Sequence, residues 1–468
     1  MTIEIRLNAN ILELRAVCFS GSGAGLDNPP SRALRGLESK SFAQKTFKKR
    51  LPVTLTNVVD DVHRSFSSLD ASHKLKIDQG KEIVYELSQL RHHVQRDKPV
   101  KLVEDDLEDA KLWAKAQENL DDDIEYTYQS LTWLFSECLV YRDVHRIIQT
   151  RSEWKGYDPF RRQKEASFKS TLSGSIELVE RLAPLFSRSN VDKALFVEML
   201  QLALWGNRAD LSLINDLTAQ SSIHEVSNLS VESLASQNSN ILANDTVKAW
   251  NYLEAVKDKR IDIILDNSGF ELFTDLLLAD WLLQHNHASS IHFHGKAIPW
   301  FVSDTTQSDF HWVIDQCAAQ IHPEMQSFGL RWKNYLNESK FVFSAHPFWT
   351  TPYPYWHLLD VAPDLYADLA KSSLTIFKGD LNYRKLVYDC DWPVDTSFSS
   401  AIGPLALDPK SNSTSRFPPV LALRTAKSDP VVGLQGGIVQ ASKLDTIDKE
   451  WRLNGRYALI QFHYSTSK

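Results

Sequence analysis

The chain has four cysteines in 468 residues, Cys18, Cys138, Cys317 and Cys390, and no two form a C-x-x-C pair. That excludes a thiolate zinc ribbon and a disulfide framework, and it points to a reducing compartment. No G-x-x-x-x-G-K-[ST] and no G-x-G-x-x-G occurs, so a nucleotide P-loop and a glycine-rich dinucleotide turn are excluded. No H-E-x-x-H occurs either, and the spacing of His285, His287, His292 and His294 matches no common zinc set. There is no basic excess: 52 Lys and Arg face 59 Asp and Glu, for a net charge of -7. A nucleic-acid partner is therefore not expected. No apolar run is long enough to span a bilayer. The first twenty residues carry Glu4, Arg6, Glu13 and Arg15 and lack the apolar core of a secretory signal. A soluble protein of the cytoplasm, with the nucleus as a second location, is expected, and its oligomeric state is left open.

The length fits two domains, or one large domain with a lid. A Gly/Ser/Pro-rich stretch from Gly21 to Ser31 reads as a tether within a flexible extension, 1–40. Helical periodicity follows over Phe42 to Arg64, Lys81 to Val94, Ala110 to Leu120, Tyr126 to Ile148, Phe168 to Leu185 and Val191 to Leu204. The run Asp121-Asp122-Asp123 reads as a solvated loop. Trp205-Gly206-Asn207 is expected to close the last helix, with Gly206 or Asn207 as its C-cap and Asp210 capping the next. A Ser- and Asn-rich connector, Thr218 to Asn240, leads out of this helical region, 41–245.

From 246 to 468 strands alternate with helices. Ile261 to Leu265 is a short β-branched run, as expected of a strand covered on both faces. Asp266 and Asn267 follow, then Gly269, then an apolar helix. Further strands are expected at Ile291 to His294, Phe341 to Phe343, Leu374 to Phe377, Val420 to Leu423 and Tyr457 to Phe462, with Asp304 opening a helix. The order predicts a mostly parallel sheet in an α/β/α sandwich. Such a sheet collects its carboxyl ends along one edge, where ligands bind. That edge gathers Asp266, Asn267, Asp304, Asp380, Asn382, Arg384, Arg424 and Lys427. Carboxylates and an amide oxygen are hard ligands for a divalent cation, and Lys and Arg complement a phosphoryl group. An Asp-Asn pair after a strand is also an ordinary turn with a helix cap, and the aromatics Phe348, Trp349 and Tyr353 to Trp356 read as core.

Taken together, these stretches resemble the damage-control phosphatases of the sugar-phosphate phosphatase type, subfamily III. Members also carry the name acidic-residue or protein-glutamate O-methyltransferase. The resemblance rests on Leu265-Asp266-Asn267-Ser268-Gly269-Phe270-Glu271-Leu272, Ile298 to Thr305, Phe377 to Leu386 and Arg424-Thr425-Ala426-Lys427. In the helical half it rests on Trp154-Lys155-Gly156-Tyr157-Asp158-Pro159-Phe160 and Leu204-Trp205-Gly206-Asn207. It runs from about Phe42 to the C-terminus. It implies a phosphatase of small phosphometabolites such as fructose 1-phosphate and fructose 6-phosphate. Asp266, Asn267 and Asp304 would hold manganese, cobalt or nickel, with Asp266 also the nucleophile. Asp380, Leu381, Asn382, Tyr383, Arg384 and Lys427 would contact substrate together with Asp266 and Asn267, and Asp210 would join the site from a lid. Many relatives continue after the Arg-Lys-Leu with Thr-Gly-Asp-Arg-Lys-Trp. Here Val387 to Trp392 lacks the basic pair, which bears on substrate preference. The alternatives are a carboxyl methyltransferase using S-adenosylmethionine and a binding protein without catalysis.

Overall fold

The alternation of both-face-buried strands with amphipathic helices builds a seven-stranded sheet. In this computed structural model residues 29–39, 41–118, 120, 124–186, 193–215, 237–406 and 416–464 are described, with side chains omitted for 207–215. The acidic run 121–123, most of the tether and most of the connector lie outside the described residues. So does the side chain of Asp210.

The strands are β1 (Arg32–Ala33), β2 (Ile241–Asn244), β3 (Lys259–Ile264), β4 (Ala288–Gly295), β5 (Phe341–Ala345), β6 (Leu374–Lys378), β7 (Cys390–Asp391), β8 (Val420–Thr425) and β9 (Ala458–His463). β1 and β7 form a separate two-stranded pair. The main sheet has the order β2-β9-β8-β6-β3-β4-β5. Every pairing in it is parallel except β8 with β9. The sheet is thus mostly parallel, as expected, with β9 and β2 reversed at one side. β2 was not legible as a strand, since its four residues follow a polar stretch and gain their strand character by pairing with β9.

Alternate residues of β3 feed two cores. Ile261, Ile263 and Leu265 face helices Arg161–Phe186, Lys193–Asn215, Phe270–Gln284, Gln307–Ala318 and Pro323–Asn337. Ile264 faces the opposite core, built from helices Leu51–Ser67, Lys74–Gln95 and Trp133–Gln149 and from segments 348–369 and 381–405. Helices of the N-terminal half therefore cover both faces. The aromatics Phe348, Trp349, Tyr353 and Tyr355 are buried in this second core.

Two local expectations are corrected. The helix Lys193–Asn215 does not stop at Trp205-Gly206-Asn207 but runs through it, so position 210 lies within this helix and does not begin the next one. Gly206 is there for close approach: a Cβ would meet Thr274 Oγ1 at 2.5 Å and Glu271 Cα at 3.2 Å on the helix Phe270–Gln284. Nor does Asp304 cap the helix it precedes. Thr306 does, in a reciprocal capping box with Asp309, and this releases the Asp304 side chain for other work.

Candidate active site

The chain runs outward from β3 to β4 and β5, then crosses back to place β6 on the other side of β3. The order of the strands switches direction between β3 and β6, and in open α/β sheets the crevice at such a point holds the ligand. Asp266 follows β3 there, and Gly379 and Asp380 follow β6. Gly379 has φ +82°, and a Cβ on it would lie 1.9 Å from Asp266 Oδ2. No other residue fits, on conformation or on space.

Asp304 comes from far along the chain and is placed by backbone pairing. Ser268 N donates to Ser303 O at 2.7 Å, and Thr305 N donates to Asp266 O at 2.8 Å. Asn267 and Asp304 form an antiparallel bridge. The turn before Asp304 is strained, since Phe301 and Val302 have φ of 45° and 72°, and Ser303 N closes on Phe301 O at 2.9 Å. Positive φ at a β-branched residue is costly, and such strain collects at functional sites. Phe301 stacks on Tyr141 at 4.5 Å between ring centroids, which holds the turn down.

The side chains that meet here are mostly acids. Asn267 Nδ2 donates to Asp266 Oδ2 and to Glu271 Oε2, both at 2.8 Å. Ser303 Oγ donates to Asn267 Oδ1. Lys296 Nζ donates to Leu265 O at 2.8 Å and lies 3.1 Å from Asp304 Oδ2. Glu271 pairs with Lys378 at 3.0 Å, and Lys378 also pairs with Asp275 at 2.8 Å. Burial, then the charges of Glu271 and Asp304, raise the Asp266 carboxyl well above the usual range, against the pull of Lys296 and Lys427. Burial also raises Asp304, although Lys296 opposes it. Negative charge is in excess at this point. Two carboxylates, an amide oxygen and that excess fit a divalent cation.

The β6 and β8 ends are joined through Asp380. Its Oδ1 accepts from Arg424 Nε at 2.8 Å, Lys427 N at 3.1 Å and Ser428 Oγ at 3.0 Å. Burial alone would raise the Asp380 carboxyl, but Arg424 and Arg384 outweigh it and hold it below its usual value. Arg424 is itself fully buried, lies over the Tyr383 ring at 4.3 Å and bonds Ser428 O at 2.9 Å. Arg424 therefore shapes the loop, and the Lys427 ammonium acts on Asp266.

Among the predicted residues, Asp266, Asn267 and Asp304 are brought together, and Asp380 meets Lys427. The rest of the helix Gly379–Leu386 turns inward. Asn382 Nδ2 donates to Leu265 O at 3.0 Å and Lys378 O at 2.7 Å. Tyr383 OH donates to Gln461 Oε1 at 2.8 Å, and Leu381 is buried. Arg384 is ion-paired to Glu137 at 2.8 Å and Asp389 at 2.7 Å and lies over Trp133. Sequence reasoning missed Lys296, Ser303, Gly379 and Ser428, each two residues or fewer from a quoted motif or inside one.

A second set of ligand-type atoms, on Asp262, His292 and Asp368, lies within 4.8 Å. Arg260 already bonds both carboxylates, at 2.6 Å and 2.7 Å, and neutralises them from within. The set also sits along β3 rather than beyond its end. His285 and His287 stack on Trp281 at 5.1 and 5.0 Å.

The fold and the site together define a three-layer α/β protein with a cluster of buried carboxylates at the switch point of its sheet. The family model described as the damage-control phosphatase ARMT1-like domain matches residues 46–442. The chain is 36% identical over 459 residues to damage-control phosphatase ARMT1 of Danio rerio, covering 92% of this chain and 97% of that one. It is 37% identical over 446 residues to the Mus musculus protein of that name, covering 92% and 98%. The Homo sapiens protein is 36% identical over 448 residues, covering 92% and 98%. The chain belongs to the ARMT1-like damage-control phosphatase domain family. A solved structure of a duf89 family protein from Pyrococcus horikoshii is similar with TM-score 0.43 and 13% identity, covering 89% of this chain and 98% of that one, a likeness too distant to bear on function. No helix among the described residues is long and apolar enough to cross a membrane.

Proposed function

We propose that this protein is a metal-dependent phosphatase that hydrolyses phosphate monoesters of small metabolites, fructose 1-phosphate and fructose 6-phosphate among them. The observation that carries the reading is the pairing of 266–268 with 303–305, which sets Asp266, Asn267 and Asp304 side by side under the reach of Lys427. These three residues would hold manganese, cobalt or nickel, which supplies the positive charge that lets an anionic nucleophile approach an anionic ester.

Asp266 attacks phosphorus and forms an aspartyl-phosphate as the bond from phosphorus to the leaving alcohol oxygen breaks. The departing alkoxide takes a proton from solvent water, and the water that attacks in the next step returns one to solvent. Water then attacks phosphorus, the bond to Asp266 breaks, and inorganic phosphate is released with the carboxylate restored. Lys427 neutralises the phosphoryl oxygens as charge moves onto them. Asp380 fixes the Lys427 backbone, while Leu381, Asn382, Tyr383 and Arg384, predicted to touch substrate, face the core and act on the site by anchoring the helix behind it, Asn382 through the Leu265 carbonyl. Asp210 is assigned to the same site from the helix Lys193–Asn215, which crosses close to Glu271 at Gly206. In this reading 246–468 carry the catalysis and 41–245 cover it, in the cytoplasm or nucleus.

The substrate range is tested by phosphate release from fructose 1-phosphate, fructose 6-phosphate and an aryl phosphate, beside methyl transfer from S-adenosylmethionine to protein carboxylates. Release from the sugar phosphates is expected. Methyl transfer with no release from any ester would replace this reading with the methyltransferase. Asp304→Ala should weaken manganese binding about tenfold or more by calorimetry, since it removes one of few anionic ligands. Unchanged affinity would remove Asp304 from the metal site. Asp210→Ala should lower turnover, and full activity would take Asp210 out of the account.

A further inference from the structure

A buried cation is costly unless an anion compensates it. The interior of this protein follows that rule almost throughout. Lys164 pairs with Asp158 and Asp309, Lys296 with Asp304, and Lys378 with Glu271 and Asp275. Arg142 pairs with Asp105 and Asp109, Arg384 with Glu137 and Asp389, and Arg424 with Asp380.

Lys385 is the exception among the described residues. It is fully buried, and no carboxylate pairs with it. Its Nζ donates to Trp349 O at 3.0 Å and lies 5.5 Å from the centroid of the Tyr355 ring. Burial pulls the ammonium down to about 8, with Cys138 and Asp304 opposing and Lys296 and Arg384 pushing the same way as burial. The residue stands close behind the site. Tyr355 OH donates to Asn382 Oδ1 at 2.5 Å, and Asn382 Nδ2 donates to Leu265 O, the carbonyl before Asp266. Neighbouring Arg384 has two carboxylates, so the lack of one at Lys385 is not for want of acids in this part of the core.

We propose that Lys385 is kept without a carboxylate so that its charge is answered by the phosphoryl group of the substrate, drawn in and stabilised beside Asp266 and Asp304. A carboxylate partner would cancel the field that the ammonium projects into the site, and in a water-poor interior that field is weakly screened. Lys385 acts as a positioning residue for the anion. The inference rests on the phosphatase reading above.

The test compares the native protein with Lys385→Met, which keeps the length of the side chain and removes its charge, and with Lys385→Arg, which keeps the charge. Thermal unfolding is followed in rising inorganic phosphate at fixed manganese, and kcat and KM are measured with an aryl phosphate. Without phosphate, the Met variant should unfold at a higher temperature than the native protein, because an uncompensated charge has left the core. Phosphate should raise the native midpoint by mass action. The Met variant should need about tenfold more phosphate for the same rise, the order expected for losing one nearby charge in a weakly screened interior, with KM raised in step and the Arg variant close to native. Either a lowered midpoint without phosphate or an unchanged phosphate response in the Met variant overturns the assignment and leaves Lys385 a packing residue. If phosphate does not shift the native protein at all, the phosphatase reading falls and takes this role with it.

Discussion

Asp266→Ala should abolish phosphate release, by at least about a thousandfold, while the protein stays folded and melts no lower than the native form. The two halves of this result have one cause. Asp266 is buried beside Glu271 and Asp304, and its carboxyl is raised by burial and by those charges. It is held in a place that costs stability, so trimming it relieves repulsion. A residue there for packing would show the opposite, a lower midpoint with activity in proportion to folded protein. Phosphate release and a thermal scan on the same sample separate the two. Normal turnover by the variant would refute Asp266 as nucleophile.

Gly379→Ala should be nearly as damaging through a single methyl group. The added Cβ would lie 1.9 Å from Oδ2, 2.1 Å from Cγ and 2.6 Å from Cβ of Asp266. Nothing at those distances can remain in place. The backbone at φ +82° adds a strain of about 1–2 kcal/mol for any residue with a Cβ. Asp266 must therefore move, the end of β6 must shift, or both. Activity should fall by about a hundredfold, the order of loss caused by a misplacement of about 1 Å at a reacting centre, and the thermal midpoint should fall as well. This pairs with the first prediction, because Asp266→Ala removes the carboxylate that the methyl group strikes. In the Asp266→Ala background Gly379→Ala should cost less stability than it does alone. Wild-type kcat in Gly379→Ala would mean that the end of β3 does not bear on the reaction.

Much of the layout could be read from sequence because it is local. Of the five residues Ile261 to Leu265 four are apolar and three are β-branched, with Asp262 the exception, which suits a short strand buried on both faces, and Asp266 follows at its end. The same logic placed β6 before Asp380 and β8 before Lys427. What escaped was set by distant partners. Gly206 looked like a helix stop, yet it is a contact point with Thr274 and Glu271, nearly seventy residues away in sequence. Asp304 looked like a cap because Thr306, two residues on, carries the same signal. β9 gave no hint of running against β8, since direction within a sheet is not encoded by the strand's own residues. In the site, Asp266, Asn267 and Asp304 were legible as oxygen-bearing side chains gathered at one sheet edge, but nothing in the stretch Asp380 to Arg384 told which side chains turn inward. Arg384 is engaged by Glu137, which lies in the helix Trp133–Gln149, and only the folded chain shows that.

If Asp266, Asn267 and Asp304 form a cation site, phosphate release depends on the metal they hold. Protein stripped with EDTA should be assayed on an aryl phosphate, before and after manganese, cobalt or nickel is restored. No release is expected from the stripped protein, with recovery by at least one of the three metals, lost again in Asp304→Ala. Release that survives EDTA unchanged, or that returns fully with metal in Asp304→Ala, would contradict this dependence.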